Sequence, residues 1–567
     1  METSMWTKVS FLAVSAAGAL LLSACGSQAA APAPAAPSGG EPAAGAPSAP
    51  AAPKVNRVVL AIDPPTLEGN ETRMLGQTTL FQLNPMYEYL IGYDATNGKF
   101  VPALATEWKL EADGTSYRFA LRKGVQFQKG FGEFTAKDVK YTWEDLTREG
   151  SLHGESTWYK AQVLALETPN DYDVVFRMNP KGSANFIHGV SRAEHVMEII
   201  SKAAHDKNGN PTMQIDPTAG TGPYQYKERR QAEFVRYERR PDKHWANYQI
   251  DFPEFELRFA KEASTRLASL LAGEVYMAAL PQDLQKRAEQ SGFKVLKGKV
   301  AGPRAFLNIS CCFIKDPKDL NSGYMHQSPL QDVRVRQALN KAINRDELNK
   351  AFFGGKGETM YNFHLHPTRP GWNADWEKNF PAEYGYDVAK AKQLLVDAGY
   401  GPGKALKTTL HIQNLPNIPG APDIIESIAG YWRGVGVEPA LAQEDNSEIT
   451  AKQRAFGYSN DFFISGTSSG ELIGSNAYFS SIPPRNSGME DPIGDAILLK
   501  INDELDGEKQ AQLWRQYGDH VYKTQYAIPL FWVPAEVVIN PKFVADWVFP
   551  GSITGTWTHQ ENLRAAK

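Results

Sequence analysis

Apolar runs and helical patterns alternate along most of the chain. An apolar run at 57–62 stops at Asp63-Pro64-Pro65, and its length and β-branched residues predict a buried strand. Residues 117–122 alternate apolar and polar side chains, which is the period of a half-exposed strand. The spacing of apolar residues predicts helices within 332–353 and over 387–399, with glycine at or after each end. Because strands and helices are interleaved, the sequence predicts an α/β fold.

Side-chain caps mark the starts of three predicted helical segments. Thr135 and Asp138 have the spacing of a capping box. Asn344, followed by Glu347, restarts the helical block that begins near 332. Asp387 precedes the second long helical pattern and is expected to cap it.

The N-terminal segment has a different pattern. Residues 11–22 are almost entirely apolar or small, about as long as the apolar region of a signal peptide and too short to span a bilayer. They run into Leu22-Ser23-Ala24-Cys25, which resembles the lipobox of bacterial lipoproteins. The resemblance implies that residues 1–24 are a cleaved signal peptide and that a lipidated Cys25 anchors the protein to a membrane. An ordinary secretory signal with a chance cysteine is the alternative.

A linker is expected at residues 25–53. After Cys25 this segment contains only Gly, Ser, Ala and Pro apart from Gln28 and Glu41. Such a composition cannot bury apolar surface, so we expect disorder, and a flexible coil of this length spans roughly 30 Å. The linker would hold a globular body near a membrane surface outside the cytoplasm.

Length and charge narrow the possible classes of protein. The chain has 567 residues, which is too many for one hydrophobic core, so we expect two or three domains. Lys and Arg number 60 and Asp and Glu 64, with no long run of either sign. This balance argues against nucleic acid as a partner, because phosphate binding needs a concentrated basic face. No second long apolar stretch follows the N-terminal one, so we predict no transmembrane helix after it.

Cysteine is sparse. Apart from Cys25 the chain contains only Cys311 and Cys312, which are adjacent. Neighbouring residues on a strand point to opposite faces, so a bond between these two would close a strained ring. We expect two ordinary small buried residues, with a vicinal disulfide as the alternative.

Several short segments occur in an order that resembles the family 5 extracellular solute-binding proteins, the peptide, dipeptide and nickel receptors of ABC importers. The resemblance extends over roughly 57–540. The segments are Pro102–Trp108, Phe119–Phe127, Thr135–Val139, Gly220–Tyr224, Leu271–Val275, Asp332–Arg345, Asp387–Gly399 and Ile528–Phe531.

This resemblance implies a periplasmic-binding-protein type II fold with two lobes, an extra domain and a ligand cleft between the lobes. It implies a discontinuous lobe I at 54–85, 215–300 and 521–567, an extra domain at 86–214 and a lobe II at 301–520. It also implies a non-enzymatic receptor in the periplasm or at the cell surface that closes on its solute and delivers it to an ABC permease. We expect a monomer that carries no cofactor and no metal.

Peptide-binding members of the family carry a tryptophan and then an aspartate after a short strand, and the aspartate pairs with the free amine of the peptide. In the matching stretch, 461–471, these positions fall near Thr467 and Gly470. The missing carboxylate argues against recognition of a free amino terminus, because a buried ammonium would lack its partner. Glu471 would replace that carboxylate if the loop shifted by one residue.

We therefore predict a cleft loop that offers hydroxyl groups rather than charge. The candidate ligand-binding residues are Thr467, Ser468, Ser469 and Glu471 in this loop, with Phe306, Asn308, Trp372 and Trp376 as further candidates. A plain surface loop is the alternative for the first four. Core packing is the alternative for Phe306, and ordinary exposed loop positions are the alternative for the two tryptophans.

One motif suggests a different class of function. Gly466–Gly470 fits the Gly-x-Ser-x-Gly nucleophile elbow and would make Ser468 the nucleophile of a surface serine hydrolase. The acid and base candidates in hydrolase order are Asp495 or Asp503 and His520 or His559. However, most of the globular chain precedes Ser468, whereas a hydrolase sheet is distributed on both sides of its serine, so we disfavour this interpretation.

A second motif suggests a metal site. His364 and His366 could bind a transition metal from alternate strand positions, but Pro367 follows them and no third ligand is evident. The interpretation that the sequence favours is a lipid-anchored receptor for oligopeptides or organic solutes of similar size. Within the same class, a receptor for oligosaccharides or for a metal chelate is the alternative.

Overall fold

The computed structural model describes most of residues 55–567. The larger gaps in the description are 76–80, 180–185, 209–218, 468–487 and 552–556, and shorter gaps of one to three residues occur elsewhere. The signal peptide expected at 1–24 and the linker expected at 25–53 lie outside the described residues. Within the part of the chain that is described, no helix is both long enough and apolar enough to cross a membrane.

Helices and strands are interleaved along the described chain, as the sequence predicts for an α/β fold. The strands are β1 (Arg57–Ile62), β2 (Ile91–Tyr93), β3 (Phe100–Pro102), β4 (Ala105–Leu110), β5 (Ser116–Leu121), β6 (Val163–Asn170), β7 (Asp173–Met178), β8 (Tyr224–Arg230), β9 (Phe234–Arg239), β10 (Glu254–Phe259), β11 (Met277–Ala278), β12 (Lys294–Lys297), β13 (Arg304–Ser310), β14 (Ile314–Asp316), β15 (Asp319–Tyr324), β16 (Glu358–Thr359), β17 (Leu406–Ile412), β18 (Val437–Gln443), β19 (Asp461–Thr467), β20 (Ala527–Trp532), β21 (Glu536–Ile539), β22 (Val544–Trp547) and β23 (Leu563–Ala565). The helices are α1 (Ala136–Leu146), α2 (Ser156–Gln162), α3 (Phe186–Gly189), α4 (Lys202–Asn208), α5 (Ala263–Ala272), α6 (Gln282–Gln290), α7 (Val333–Lys341), α8 (Arg345–Phe353), α9 (Ala374–Glu383), α10 (Val388–Asp397), α11 (Ala421–Gly434), α12 (Pro492–Asp503) and α13 (Gly507–Thr524).

The predicted caps are present at the starts of α1, α8 and α10. Thr135 and Asp138 form a capping box at the start of α1. Asn344 accepts a hydrogen bond from the backbone N–H of Glu347 at 3.2 Å, which divides the helical block into α7 and α8. Asp387 accepts from the backbone N–H of Lys390 at 2.9 Å. The structure confirms these three predictions. They could be made from the sequence because each cap depends only on residues within one helical turn.

Three larger sheets organise the chain. The seven-stranded sheet has the order β12-β21-β11-β1-β10-β9-β8, and we call the body built on it lobe I. The six-stranded sheet has the order β16-β20-β13-β19-β17-β18, and we call its body lobe II. The four-stranded sheet β4-β5-β7-β6 forms the centre of the extra domain. Each of the three has its own cluster of buried apolar side chains, as the length of the chain predicts.

Strand β20 corrects one predicted boundary. We expected lobe II to end at 520, but that position lies inside α13, and β20 pairs antiparallel with β13 in the sheet of lobe II. The chain returns to lobe I only after Trp532, since the next strand, β21, pairs with β11 and β12. Lobe II therefore extends to about the end of β20, and the other domain boundaries stay predictions.

Two buried arginines explain the segment from Asp332 to Arg345. Arg336 donates to the carbonyl oxygen of Thr524 at 2.8 Å, and Arg345 donates to that of Pro529 at 2.7 Å. Both guanidinium groups therefore hold α7 and α8 against the end of α13 and against β20. Burial lowers the pKa of Arg336 to about 10 and that of Arg345 to about 9.

The segment Gly220–Tyr224 joins the extra domain to lobe I by close backbone contact. The N–H of Gly222 donates to the carbonyl oxygen of Met86 at 2.8 Å, and a Cβ atom at Gly222 would lie 2.6 Å from that oxygen. The buried side-chain amide of Gln128 donates to the carbonyl oxygens of Gly222 at 2.9 Å and Tyr224 at 2.7 Å. Only glycine permits this approach, and Gln128 satisfies the carbonyl groups that the approach buries.

The two adjacent cysteines differ from our expectation of two unbonded residues. Cys311 and Cys312 form a vicinal disulfide directly after β13, and both side chains are buried. The backbone makes this possible because Cys312 has a φ of 64°, so the two residues do not follow the alternating geometry of a strand.

Glu71 is a buried carboxyl group where the segment after β1 packs against α1. Its side chain makes no hydrogen bond with the residues described here, and the nearest cation is the Nε atom of Arg73 at 3.5 Å. Burial, together with the carboxylate of Asp145, raises the pKa of Glu71 to about 8, although Arg73 and Arg148 oppose this shift. The folded protein therefore holds a proton on Glu71 near neutral pH.

We expect the substitution Gly222→Ala to lower the free energy of unfolding by about 2–4 kcal/mol, because the added Cβ atom overlaps the carbonyl group of Met86. Thermal unfolding followed by circular dichroism measures the change. Gly430→Ala is the matched control, since that glycine lies in α11 with open space around it, and alanine there should stabilise the helix slightly. Equal melting temperatures for Gly222→Ala and the wild type would contradict this account.

Glu71 predicts a dependence of stability on pH. The unfolded chain releases this proton near pH 4.5 and the folded protein near pH 8, so the contribution of Glu71 to stability falls as the pH rises between these values. We expect Glu71→Gln to raise the free energy of unfolding at pH 8 by about 2 kcal/mol and to change it little at pH 4.5. Urea unfolding at the two pH values tests this, and an equal effect at both would exclude it.

Candidate functional site

A cleft of about 820 Å³ lies between lobe I and lobe II, beside the two places where the chain crosses from one lobe to the other. The first crossing passes through Pro303, after β12, and the second passes through 533–535, after β20. Both crossings contribute to the lining of the cleft. The remaining lining residues come from both lobes, so a molecule held in the cleft would contact each lobe.

The lobe I wall is formed where two parallel strands end. Strands β1 and β11 pair in parallel, with Leu60 opposite Met277, so their carboxyl ends meet at the same edge of the sheet. Asp63 and Pro64 follow β1, and the segment 279–281 follows β11 and leads into α6. The carboxyl ends of parallel strands are the usual position of ligands in open α/β sheets.

An ion pair organises the charge of this wall. The guanidinium group of Arg266, on α5, lies 2.8 Å from a carboxylate oxygen of Asp63 and also donates to the carbonyl oxygen of Ala279 at 2.8 Å. Its side chain is 6% exposed, whereas that of Asp63 is 43% exposed. Arg266 is therefore a buried positioning residue, and the Asp63 carboxylate remains accessible to a ligand. Lys261 and Glu262 add further charge at the rim of the same wall.

The lobe II wall is mainly apolar. It consists of Phe352 and Phe353 at the end of α8, Leu415 and Ile418 after β17, and the first residues of α11. A polar wall thus faces an apolar wall across the cleft. This arrangement suits a solute that has both hydrogen-bonding groups and apolar groups.

Sequence reasoning missed the residues of this cleft. In the sequence, Asp63 marks only the end of a predicted strand, and Arg266 lies 203 residues away from it in the chain. The available signal was the polar residue at the carboxyl end of a buried strand, since such positions carry ligands in α/β folds. The position of Arg266 could not be inferred without the pairing of β1 with β11.

The predicted loop at 467–471 stays a prediction. Thr467 is the last residue of β19, and its backbone pairs with Arg304 at the start of β13, close to the first crossing. Ser468, Ser469 and Glu471 lie outside the described residues. The described part of the strand therefore ends close to the region where the chain crosses between the lobes.

The structure places the other four candidates away from the cleft lining. Phe306 is fully buried and packs edge-to-face on Phe363, with ring centroids 4.5 Å apart. Asn308 is also buried on β13, which has a strand on each side in the sheet of lobe II. Both positions therefore lie in the core of lobe II in this structure, and neither is among the residues that line the cleft.

The two tryptophans form a packed pair. The Nε1–H of Trp376 donates to a carboxylate oxygen of Asp519 at 2.8 Å, and the side chain is buried in lobe II. Trp372 is partly buried and packs edge-to-face on Trp376, with centroids 5.3 Å apart. Helix α9, which carries Trp376, faces α13, and the ring packs between these two helices.

The histidines proposed for other chemistry have structural partners. His520 contacts Asp491 and Tyr526, each at 2.5 Å, and the buried His559 lies 2.9 Å from the carbonyl oxygen of Tyr93. His366 contacts Glu358 at 3.2 Å, and His364 lies outside the described residues. Among the residues that the structure describes, no group of three or more His, Cys, Asp or Glu side chains is arranged to hold a metal ion.

Comparison with known proteins agrees with this architecture. The family described as bacterial extracellular solute-binding proteins, family 5 Middle, matches residues 99–482. The dipeptide-binding protein of Escherichia coli is 28% identical over 396 residues, which cover 65% of this chain and 68% of that protein. Heme-binding protein A of Haemophilus influenzae is 27% identical over 477 residues, which cover 78% and 81%.

A solved structure shares the fold. The ABC transporter substrate-binding protein CtaP of Listeria monocytogenes superposes with a TM-score of 0.72 over 91% of this chain and 100% of that one, at 17% identity. This likeness shows the type II periplasmic-binding-protein fold that the sequence resemblance implies. The chain therefore belongs to the family 5 bacterial extracellular solute-binding proteins and is a binding protein rather than an enzyme.

Proposed function

We propose that this protein captures short peptides, or organic solutes of similar size, in the cleft between its lobes and delivers them to an ABC permease. The observation that carries the proposal is the cleft itself, which is lined by both lobes beside the two crossings. Similar relatives named as dipeptide-binding and di/tripeptide-binding proteins support this class of ligand.

The size and chemistry of the cleft support the same class. A volume of about 820 Å³ falls within the range of sites for small organic molecules and suits a di- or tripeptide better than a long chain. The polar wall with Asp63 and the apolar wall with Phe352 and Ile418 match the backbone and side chains of a peptide. Closure of the lobes would bury such a ligand on both faces and would change the shape that the permease meets.

We also propose that Cys25 is lipidated and that residues 26–53 tether the receptor near its permease. The lipobox-like segment at 22–25 and the low-complexity composition of the linker support this proposal. Attachment keeps the distance between capture and delivery short.

Replacement of Cys25 tests the anchor. We expect Cys25→Ala to move the protein from the membrane fraction to the soluble fraction of cells that express the full chain, because the acyl chains have no other attachment point. Detergent partitioning followed by intact-mass measurement provides the readout, with Ser27→Ala as the control. A Cys25→Ala protein that partitions as the wild type does would overturn the proposed anchor.

Native mass spectrometry of the purified protein tests the ligand class, since a closed cleft can retain its solute. We expect bound masses that correspond to short peptides, whereas masses of oligosaccharides, metal chelates or haem would overturn the peptide proposal and support the named alternative.

A variant that fills the cleft tests its location. Ala263 lies on the lobe I wall at the start of α5, and Ala263→Trp should reduce retention or affinity for the same masses by about tenfold or more, because the indole occupies the space of the solute. Ala389→Trp, on the exposed face of α10, is the matched control. Equal retention by the two variants would show that the solute binds elsewhere.

A further inference from the structure

Two ion pairs join the lobes beside the two places where the chain crosses between them. In one pair lobe I supplies the anion, and in the other it supplies the cation. Glu536 of lobe I lies 3.1 Å from the ammonium group of Lys356 in lobe II. Lys297 of lobe I lies 3.2 Å from Glu358 of lobe II. Each lobe therefore supplies one cation and one anion at the same edge, and both pairs are attractive only when the two edges lie side by side.

The strand pairing explains why these four residues meet. Lys297 and Glu536 are opposite each other in the pairing of β12 with β21, at the edge of lobe I. In lobe II, Glu358 lies opposite Trp532 in the pairing of β16 with β20, immediately before the second crossing. The crossing chain thus places the edges of the two sheets beside each other, and the four charges lie at this junction.

The pair between Lys356 and Glu536 is the more buried of the two. The Glu536 side chain is only 5% exposed, and it also accepts a hydrogen bond from the side-chain amide of Gln282, at the start of α6. Lys356 also donates to the side-chain oxygen of Gln285 at 3.4 Å. The turn at Gly354 completes the contact, because a Cβ atom there would lie 2.9 Å from the side-chain oxygen of Gln282.

The pair between Lys297 and Glu358 is exposed. Its side chains are 49% and 53% exposed, so water and salt screen their attraction. His366 and Lys297 together lower the pKa of Glu358 to about 2, which keeps this carboxylate charged at any physiological pH. This exposed pair therefore keeps its charged carboxylate at physiological pH, but its attraction contributes little free energy to the contact between the lobes.

We propose that Lys356, Glu536 and Gln282 form a latch between the lobes that holds them in the arrangement seen here and so sets the fraction of empty receptor that adopts this arrangement. The proposal rests on the two-lobed fold and on these contacts, and it does not depend on which solute the cleft binds. A ligand shifts the equilibrium between lobe arrangements that already exists in the empty protein. The latch would set that equilibrium, and so would change the apparent affinity for the solute.

The distance between the lobes in the empty protein tests the latch. Fluorescent labels on noncanonical residues that replace the exposed Lys286 of lobe I and Lys392 of lobe II would report this distance in single molecules. We expect Lys356→Met to reduce the ratio of molecules with the interlobe distance seen here to molecules with a different distance by about fivefold or more, because it leaves the buried Glu536 carboxylate without its cation. Lys297→Met is the matched control and should change the ratio by about twofold or less.

Two further measurements make the result decisive. The double variant Lys356→Met/Glu536→Gln should not add the effects of its single changes, because each single change already breaks the same interaction. Glu536→Gln alone should also lower the fraction of molecules with the interlobe distance seen here, because it removes the other charge of the pair. The proposal is wrong if Lys356→Met has the distance distribution of the wild type, or if Lys297→Met has the larger effect. If Lys356→Met does not fold, Glu536→Gln takes its place, and a wild-type distance distribution for that variant would overturn the proposal.

Discussion

The cleft depends on the close contact between the two chain segments that cross from one lobe to the other. The N–H of Val533 donates to the carbonyl oxygen of Pro303 at 2.7 Å, and the N–H of Gly298 donates to that of Ala535 at 2.9 Å. A Cβ atom at Gly302 would overlap the carbonyl group of Val533, so the crossings approach as closely as they do only because this residue is glycine. Two antiparallel segments joined in this way permit rotation of the lobes but resist their separation.

In the proposed function, rotation about these crossings would bring the polar wall and the apolar wall together on a solute. Each lobe has its own buried core, so each can move as one body while the crossings absorb the change in angle. Asp63 is held by the buried Arg266 on one side, and the residues after β17 and at the end of α8 lie on the other. A solute that contacts both walls therefore favours the closed arrangement, whereas a solute that contacts one wall leaves the equilibrium unchanged.

The correctly predicted features depend on residues that are close together in the sequence. Strand β1 and the caps formed by Thr135, Asn344 and Asp387 follow from local patterns, and the structure has them where the patterns place them. The family segments are visible in the sequence, but the contacts that require their particular residues are not. Gly222 is required because it touches Met86, which is far away in the sequence, and only the fold reveals this contact.

The errors have the opposite origin, since they concern contacts between distant segments. Phe306 and Trp376 have the composition of either a core or an aromatic ligand wall, and only the sheet around β13 and the contact of α9 with α13 decide for the core. The boundary at 520 was wrong because β20 pairs with β13 before the chain crosses. The vicinal pair at Cys311 depends on the backbone of Cys312, which no sequence pattern indicated.

A crystal structure of the protein as purified, with its retained solute, would show directly where the solute binds. The proposed function predicts density for a small organic molecule between the lobes, in contact with Asp63 on one wall and with the apolar residues near Phe352 and Ile418 on the other. Density for the retained molecule at any other position, with the interlobe cleft filled only by solvent, would contradict it.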